Sequence, residues 1–515
     1  MDRTDASGAP IKPGKSSQKT SLSQVALEAA LDRSGTSPKS GFQDLPVELL
    51  QAISRQVASG SAGDAAAGLH ALMLSNKFLK GAILAETSVK EHYEFLQPLI
   101  GAFKALKPQL PIHEINSHML TLMGPKQRQE QVAAVLGLAD ELEKACAIAR
   151  LGAGLAALER PQQEALVTAA LGLTDERHKT WAISGLGAGL AALEPRQQED
   201  LVTAALGLTS SMNKAKAIAG LGAGLASLER SQQEALVTAA LGLAYEGDKA
   251  EAIAGLGAGL AHLSESQRED LVTAALRLNG WDKAQAIAGL GAGLAHLSES
   301  QREDLVTVAL RLNGWAKAQA IAGLGAGLAH LSESQREDLV TAALDLADEK
   351  DKAKAIAGLG AGLVHLSESQ REDLFTAALG LAFRGDKDKA EAIAGLGAGL
   401  AALERPQQEA LVKATLGLTN GEHKAQAIAG LGAGLAALDG TQQQALVTAA
   451  LGMANWWDKA QAIAGLGAGL VALDGTQQQA LVKAALGLAD GWHKARAIAG
   501  LVNGYQASRV RDYLR

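Results

Sequence analysis

The sequence is poor in the residues that cross-link small folds or fill large cores. It has one cysteine, Cys146, in 515 residues, which excludes an internal disulfide framework. Aromatic residues make up 3%, whereas glycine occurs 57 times. A core made of Ala, Leu, Ile and Val suits thin stacked layers better than one large globule. The longest apolar runs, such as residues 252–263, fall short of the roughly 20 residues that a membrane-spanning helix needs, so we expect no membrane span.

The charge balance and the first residues limit the function further. A formal net charge of -7 argues against a generally basic nucleic-acid-binding protein. The start of the chain has no basic-then-apolar signal peptide, so we expect any export to use a pathway that does not read one. Residues 1–41 are rich in Ser, Thr, Lys and Gly, which predicts a disordered segment and a candidate secretion signal.

An internal repeat occupies most of the chain. The block Leu-Gly-Ala-Gly-Leu begins at residues 151, 186, 221, 256, 290, 324, 359, 396, 431 and 466, with a degenerate copy at Leu501. A second block, typified by residues 166–171, recurs at the same interval of 34 to 37 residues. Two elements therefore alternate along residues 125–515 about eleven times.

Both repeated elements are predicted to be helices. In the first, which we call the glycine-rich helix, Ile253, Leu256 and Leu260 have the spacing of one helical face. Each glycine inside it would cost about 1 kcal/mol relative to Ala, so its recurrence predicts close packing between helices. The second, which we call the capped helix, starts with a capping box such as Ser264 with Gln267.

These observations predict an all-α protein. We expect the disordered residues 1–41, a small helical domain at 42–90, a helical linker at 91–124, and an α-solenoid of about eleven helix hairpins at 125–515 that ends in a C-terminal cap. Repeats of this size match tetratricopeptide-like units. We therefore expect a right-handed superhelix with atypical ends.

Variation between repeats lies mainly before each glycine-rich helix, in segments that we predict to be loops. Constant packing faces with a variable edge are typical of a recognition surface, although unconstrained loops also drift. Tryptophans in these segments are candidate target-binding residues or, alternatively, caps on the hydrophobic layers. They are Trp281, Trp315, Trp456, Trp457 and Trp492.

A lysine follows each variable segment and predicts a ladder of positive charge. We include four of these lysines among the target-binding candidates: Lys249, Lys283, Lys317 and Lys352. The alternative is a solvated ladder, because aspartates that precede several of these lysines, including Asp282 and Asp351, could cap the helix and neutralise the lysines.

No pattern in the sequence predicts catalysis, a cofactor or a metal. The glycine runs lie inside helices and follow no strand, so they are not phosphate-binding loops. Cys146 is interpreted as a core replacement for Ala rather than a nucleophile. Histidines recur at repeat spacing, which stacked helices would place about 10 Å apart, too far for zinc. They are His262, His296, His330 and His365, interpreted as interface residues.

The segment at residues 44–83 resembles an F-box. It opens with Leu45-Pro46-Val47-Glu48-Leu49-Leu50 and closes with Leu74-Ser75-Asn76-Lys77-Phe78. It departs from the F-box pattern by about six extra residues around 59–67 and by the absence of the usual Asp-Pro turn. The resemblance implies docking onto a Skp-type adaptor and a cullin ubiquitin ligase. By this resemblance the adaptor-binding residues are Leu45, Pro46, Leu49, Leu50, Ile53, Leu74 and Phe78.

An F-box joined to a repeat array is similar to the F-box effectors that plant-pathogenic bacteria secrete by the type III route. That similarity implies an adaptor, delivered into the cytoplasm or nucleus of a host cell, that recruits an unknown target protein. Without it we expect a cytoplasmic protein.

Two alternatives stay open. One is a protein-binding scaffold with no ubiquitin link. The other is a nucleic-acid-binding array, since residues 263–286 resemble the helix-loop-lysine layout of TAL-effector repeats. Acidic segments such as 348–351 would repel a DNA backbone, so we expect no nucleic-acid partner.

Overall fold

A computed structural model describes residues 87–381 and 386–514, together with Val57, Asp64, Ala65, Gly68 and Leu69. Within these residues the ordered elements are α-helices and short 3-10 segments, and no strand occurs. None of the helices in the described ranges is long and apolar enough to cross a membrane. The predicted adaptor-binding residues lie outside the described part of the chain; they are Leu45, Pro46, Leu49, Leu50, Ile53, Leu74 and Phe78.

From residue 87 onward, two helices precede the repeats and eleven helix pairs follow them. The first two are α1 (Thr87–Leu106) and α2 (Ser117–Leu120). The pairs, each a capped helix followed by a glycine-rich helix, are α3 (Pro125–Leu136) with α4 (Glu141–Leu151), α5 (Arg160–Leu171) with α6 (Glu176–Leu186), α7 (Pro195–Leu206) with α8 (Ser211–Gly222), α9 (Arg230–Leu241) with α10 (Glu246–Gly257), α11 (Glu265–Arg277) with α12 (Gly280–Leu290), α13 (Glu299–Arg311) with α14 (Gly314–Leu324), α15 (Glu333–Leu344) with α16 (Glu349–Gly360), α17 (Glu368–Gly380) with α18 (Asp386–Leu396), α19 (Arg405–Gly417) with α20 (Gly421–Leu431), α21 (Gly440–Gly452) with α22 (Trp456–Leu466), and α23 (Gly475–Gly487) with α24 (Gly491–Leu514). The predicted all-α solenoid of about eleven hairpins is confirmed.

Short 3-10 segments connect the elements. Two of them lie between α1 and α2, and the others follow the glycine-rich helices. They are Lys107–Gln109, Ile112–Glu114, Gly152–Ala157, Gly187–Ala192, Leu225–Ser227, Leu260–His262, Gly291–His296, Gly325–His330, Leu363–His365, Gly397–Ala402, Gly432–Ala437 and Gly467–Ala472.

Local hydrogen bonds start each capped helix. The Ser264 hydroxyl accepts from Gln267 N at 3.3 Å, and the Gln267 side chain accepts from Ser264 N at 2.8 Å, as the capping-box pattern predicts. One turn further on, a side chain reaches back to the 3-10 segment. In α9 it is Gln233, whose amide donates to the carbonyls of Leu225 and Leu228 at 2.8 and 3.0 Å. These bonds hold each capped helix against the 3-10 segment that follows the glycine-rich helix of the preceding repeat.

The glycine-rich helices of successive repeats touch backbone to backbone. A Cβ atom at Gly257 would overlap the carbonyl of Gly289 in the next repeat, and one at Gly255 would overlap Ala219 in the previous repeat. The capped helices of neighbouring repeats approach each other less closely. In a curved array the more closely spaced layer lies inside, so the glycine-rich helices form the inner layer. The predicted packing role of the glycines is thereby confirmed.

The two ends of the array meet and close it into a ring. Helix α24 packs against α1 and α2. The rings of Phe95 and Tyr505 stack with centroids 4.0 Å apart. Asn503 lies beside α2, with its Oδ1 2.8 Å from Thr121 Oγ1 and its Nδ2 donating to the carbonyl of His118 at 3.2 Å. The array is therefore a closed ring rather than the superhelix that its period suggests.

The N-terminal segment closes the ring because α2 lies against the first repeat where, between other repeats, the 3-10 segment of the preceding repeat lies. A Cβ atom at Gly154 would lie 2.9 Å from Leu120 Cδ2, and at the matching position of the next repeat a Cβ atom at Gly189 would lie 2.8 Å from Leu155 Cδ1. Leu120 thus packs against the first repeat in the way that Leu155 packs against the second. Residues predicted as a linker complete the hydrophobic core between the first and last pairs.

Backbone contact between glycine-rich helices predicts that a single methyl group will destabilise the ring. We expect Gly257→Ala to lower the free energy of unfolding by about 3 kcal/mol, because the added Cβ overlaps backbone that cannot move aside. Gly452→Ala is the matched control, since no atom lies within 4 Å of a Cβ there. The control is expected to be neutral or to stabilise by up to about 1 kcal/mol. Urea unfolding followed by circular dichroism measures both; equal midpoints would contradict backbone contact.

Candidate binding surface

The predicted target-binding tryptophans lie in helices rather than in loops. Trp281, Trp315, Trp457 and Trp492 are each the second residue of a glycine-rich helix, and Trp456 is the first residue of α22. The loop prediction was wrong because these helices begin before the aspartates that were considered as caps. The cap of α16, for example, is Asp348, which accepts from the backbone N–H of Lys350 and Asp351.

Asp351 and Asp458 accordingly lie inside the first turn and are buried. Burial raises the pKa of the Asp351 carboxyl. Burial raises the pKa of Asp458 as well, and the nearby Glu422 adds to the effect. The predicted role of such aspartates as helix caps is therefore wrong for Asp351.

Aligned on the repeat lysine, two columns vary from repeat to repeat. Two residues before the lysine the chain has Leu142, Arg177, Met212, Gly247, Trp281, Trp315, Lys350, Lys387, Glu422, Trp457 and Trp492. Two residues after it the chain has Cys146, Trp181, Lys216, Glu251, Gln285, Gln319, Lys354, Glu391, Gln426, Gln461 and Arg496. We call these residues together the variable belt. The second column was missed at the sequence level, although alignment on the lysine would have revealed it.

The two columns of the belt share one face of each helix. Residues four apart lie one turn apart on the same side, so Trp281 and Gln285 are neighbours, as are Lys350 and Lys354. The opposite side of the helix carries buried residues such as Ile253 and packs on the capped helices. The belt therefore lines the inner surface of the ring.

The solvent exposure of the belt residues agrees with a position on the inner surface of the ring. Leu142, Met212 and Trp281 are 44%, 46% and 50% exposed despite their apolar side chains. Cys146 is half-buried in the belt rather than part of the core, so its interpretation as a core residue was wrong. Large apolar side chains held in solvent at positions that vary between repeats are typical of a binding surface.

Belt residues of successive repeats contact each other. The rings of Trp281 and Trp315 are nearly parallel at 7°, with centroids 5.8 Å apart. On Trp315 lie the ammonium groups of Lys350 and Lys354, 4.8 and 4.1 Å from the ring centroid. Three consecutive repeats thus build one aromatic and cationic patch.

A second patch lies in the last two repeats. Trp457 and Trp492 stack with centroids 5.8 Å apart at 19°, and the Arg496 guanidinium lies 5.6 Å from the Trp457 ring. His493 is buried and meets Trp456 edge-on at 4.4 Å. The structure therefore brings the five predicted tryptophans together in two groups.

The ladder lysines run along the belt between its two columns. Those predicted to bind the target are each half-buried: Lys249, Lys283, Lys317 and Lys352. Their position is the same in every repeat, so they add a constant positive charge to a surface whose other residues change. The predicted interface histidines are exposed at the end of the 3-10 segments instead; they are His262, His296, His330 and His365. Across residues 87–381 and 386–514 no group of acidic, His and Cys side chains is placed to hold a metal ion.

Carboxylates at the start of several glycine-rich helices fix the next repeat in place. Glu176 accepts from the backbone N–H of Thr209 and Ser210 and from the Asn213 amide. Glu141 likewise accepts hydrogen bonds from the loop that starts at Thr174, and Asp386 accepts them from the loop at Thr419. The bonds from Thr209 hold the pKa of Glu176 below its ordinary value. In these repeats the carboxylate clamp sets where the belt residues stand relative to those of the next repeat.

The sequence matches no protein-family model and no curated protein. Solved structures with a similar fold include an engineered protein, at 18% identity and a TM-score of 0.23, covering 74% of this chain and 98% of that one. The karyopherin Kap121p bound to the SUMO protease Ulp1p is 12% identical at a TM-score of 0.37, covering 95% of this chain. Kap95p with RanGDP is 15% identical at a TM-score of 0.34, covering 88%. The chain spans 58% of the Kap121p chain and 62% of the Kap95p chain.

The carboxylate clamp predicts a pH-dependent link between repeats. A carboxyl whose pKa is lowered by folding stabilises the protein above its ordinary pKa of 4.5, and this contribution is lost as the pH falls through the lower folded value. We therefore expect Glu176→Gln to be less stable than wild type at pH 7 and the difference to vanish in acid. Glu199→Gln, on the exposed face of α7, is the control and should not change stability at either pH. Thermal unfolding between pH 7 and pH 3 tests the prediction, and a constant difference would contradict it.

Proposed function

We propose that this chain is a non-catalytic scaffold that binds a target protein on the inner surface of its ring, through the variable belt. One observation carries the proposal: between nearly identical repeats, variation is concentrated on exposed positions one helical turn apart. Repeat scaffolds bind through such concave surfaces, where each repeat contributes a few side chains.

Unconstrained drift does not explain this distribution. Other exposed positions stay constant, including the belt-side alanine represented by Ala223 and Ala258. On the capped helices, exposed threonines such as Thr168, Thr203 and Thr238 recur as well. Exposure alone therefore does not make a position vary, and the belt varies where side chains can reach a partner.

The charges of the belt favour a protein over nucleic acid. Cationic residues such as Lys216 and Lys350 alternate around the ring with carboxylates such as Glu251, Glu391 and Glu422. A phosphate backbone would meet repulsion at each of these acids. A protein surface with its own mixed charges can pair with both signs, and half-exposed tryptophans are frequent anchors of such interfaces.

The proposal extends to a ubiquitin-ligase adaptor function for residues 44–83. Its support is the Leu-Pro-x-Glu-Leu-Leu start at Leu45 and the similar end at Phe78. Within this segment Asp64 pairs with Arg128 of the first repeat at 2.6 Å, and Leu69 is fully buried. Such contacts would hold a bound Skp-type adaptor beside the first repeat. As a bacterial effector the chain would act in the host cytoplasm or nucleus.

A belt variant tests the scaffold proposal. We expect simultaneous replacement of Trp281, Trp315, Lys350 and Lys354 by Ala to lose most of the proteins that the wild-type chain retains from plant extract, because Trp281 and Lys350 are exposed and none of the four side chains is fully buried. The control replaces four exposed residues of capped helices: Thr238, Glu269, Glu303 and Glu337. Quantitative mass spectrometry of retained proteins gives the comparison. Equal retention by the belt variant and the wild type would contradict the proposal.

An adaptor variant tests the ubiquitin link separately. Replacing Leu45 and Pro46 with Ala should weaken binding to a purified plant Skp-type adaptor by roughly a thousandfold, since each central anchor of such an interface contributes about 2 kcal/mol. Circular dichroism should show the same helicity as wild type. If the wild-type chain does not bind the adaptor, or the variant binds equally well, residues 44–83 act only as a cap on the array.

A further inference from the structure

The two tryptophan patches of the belt have the same construction. In both, tryptophans of neighbouring repeats stack with centroids 5.8 Å apart. The residues around them match too, because the sequence from Trp281 to Leu294 is identical to that from Trp457 to Leu470. We call Trp281 with Trp315 the first tryptophan pair, and Trp457 with Trp492 the second.

Each pair also has an acid before it and a cation against it, although the columns and repeats that supply these charges differ. After the first pair come Lys350 and Lys354, and Arg496 lies against the second. Before each pair stands a carboxylate of the preceding repeat, which is Glu251 for the first pair and Glu422 for the second. The other repeats of the array do not show this order of acid, two tryptophans and cation.

Ring closure places the two pairs on opposite sides. They are five repeats apart in an array of eleven helix pairs that is closed by the unit containing α1 and α2. Five steps in a ring of about twelve units correspond to nearly half a turn. With packed helices spaced 8 to 10 Å apart, the two pairs face each other across roughly 30 Å of the inner surface.

Each pair presents an apolar face beside a cation. Trp281 and Trp457, the first members of the pairs, are 50% and 40% exposed. Lys354 and Arg496 lie over tryptophan rings, which orders the cations without neutralising them. The complementary ligand is a peptide segment in which an aromatic or aliphatic side chain stands next to carboxylates.

We propose that the two tryptophan pairs are equivalent half-sites, and that the partner they fit is a homodimeric protein that presents one acidic, apolar segment from each subunit. This inference rests on the proposed scaffold function and specifies its partner. Two half-sites held rigidly across a ring favour a two-fold partner, because the second contact is then intramolecular. The partner would lie across the opening of the ring.

Defined peptides test the inference. The probes are three synthetic peptides in which Phe, Leu or Tyr stands between two pairs of aspartates, each prepared as a monomer and as a fusion to a parallel coiled-coil dimer. A flexible linker of about 30 residues on each strand spans roughly 30 Å. With full-length protein, titration calorimetry should show two monomers of at least one peptide bound per chain, and one dimer bound per chain with 100- to 10,000-fold higher affinity.

Single substitutions distinguish binding at paired half-sites from nonspecific binding. Trp281→Ala and Trp457→Ala should each reduce monomer binding to one site and remove the gain that the dimer shows. Trp181→Ala is the matched control: it removes a belt tryptophan that is 42% exposed but belongs to neither pair, and it should keep the gain. Thermal unfolding confirms that the variants are folded.

Three outcomes would overturn the inference. They are no binding of any of the peptides, binding of monomers with no gain for the dimers, and tryptophan-dependent binding of single-stranded oligouridylate with no peptide binding. The first two leave the scaffold proposal intact if the four-residue belt variant still loses its captured proteins. The third replaces the protein partner by a nucleic acid. If the belt variant retains the same proteins as wild type, the scaffold proposal itself fails, whatever the peptides do.

Discussion

Backbone contact between glycine-rich helices is the constraint on which the rest of the structure depends. Gly257 lies against the carbonyl of Gly289, and Gly255 against Ala219, so neither position has room for a side chain. Spacing this close on one side of the array, with wider spacing between the capped helices, makes the array curve. Curvature over eleven pairs brings the ends together, and it turns the exposed face of the glycine-rich helices inward.

The same constraint separates structural positions from variable ones. The faces that pack between repeats must keep Gly, Ala, Ile and Leu, because any larger residue would change the spacing for every neighbour. The face that looks into the ring has no such neighbour at the belt positions. Trp, Lys, Glu and Gln can exchange there without disturbing the backbone contacts between repeats, and several of them contact other belt residues, as Lys354 contacts Trp315.

Ring closure changes what the ends of the array do. An open solenoid needs polar caps because its terminal repeats bury only one side. Here Leu120 and Asn503 bring the first and last repeats against one shared N-terminal unit, so both ends are covered. A closed array also fixes the distance between remote repeats. Repeats five apart are therefore held at a constant separation and can act together on one partner.

Local sequence patterns were enough to predict the class of fold, the number of repeats, the capping of helices and the packing role of glycine. These follow from local periodicity and from hydrogen bonds within a few residues, such as those between Ser264 and Gln267. The tryptophans were also found from the sequence, but their neighbours were not. The tertiary structure was needed to show that Trp281 stacks on Trp315, that the belt lines the inside of a closed ring, and that Tyr505 meets Phe95. Such contacts join residues 34 to about 400 positions apart, and they depend on the curvature summed over all repeats, which no local pattern records.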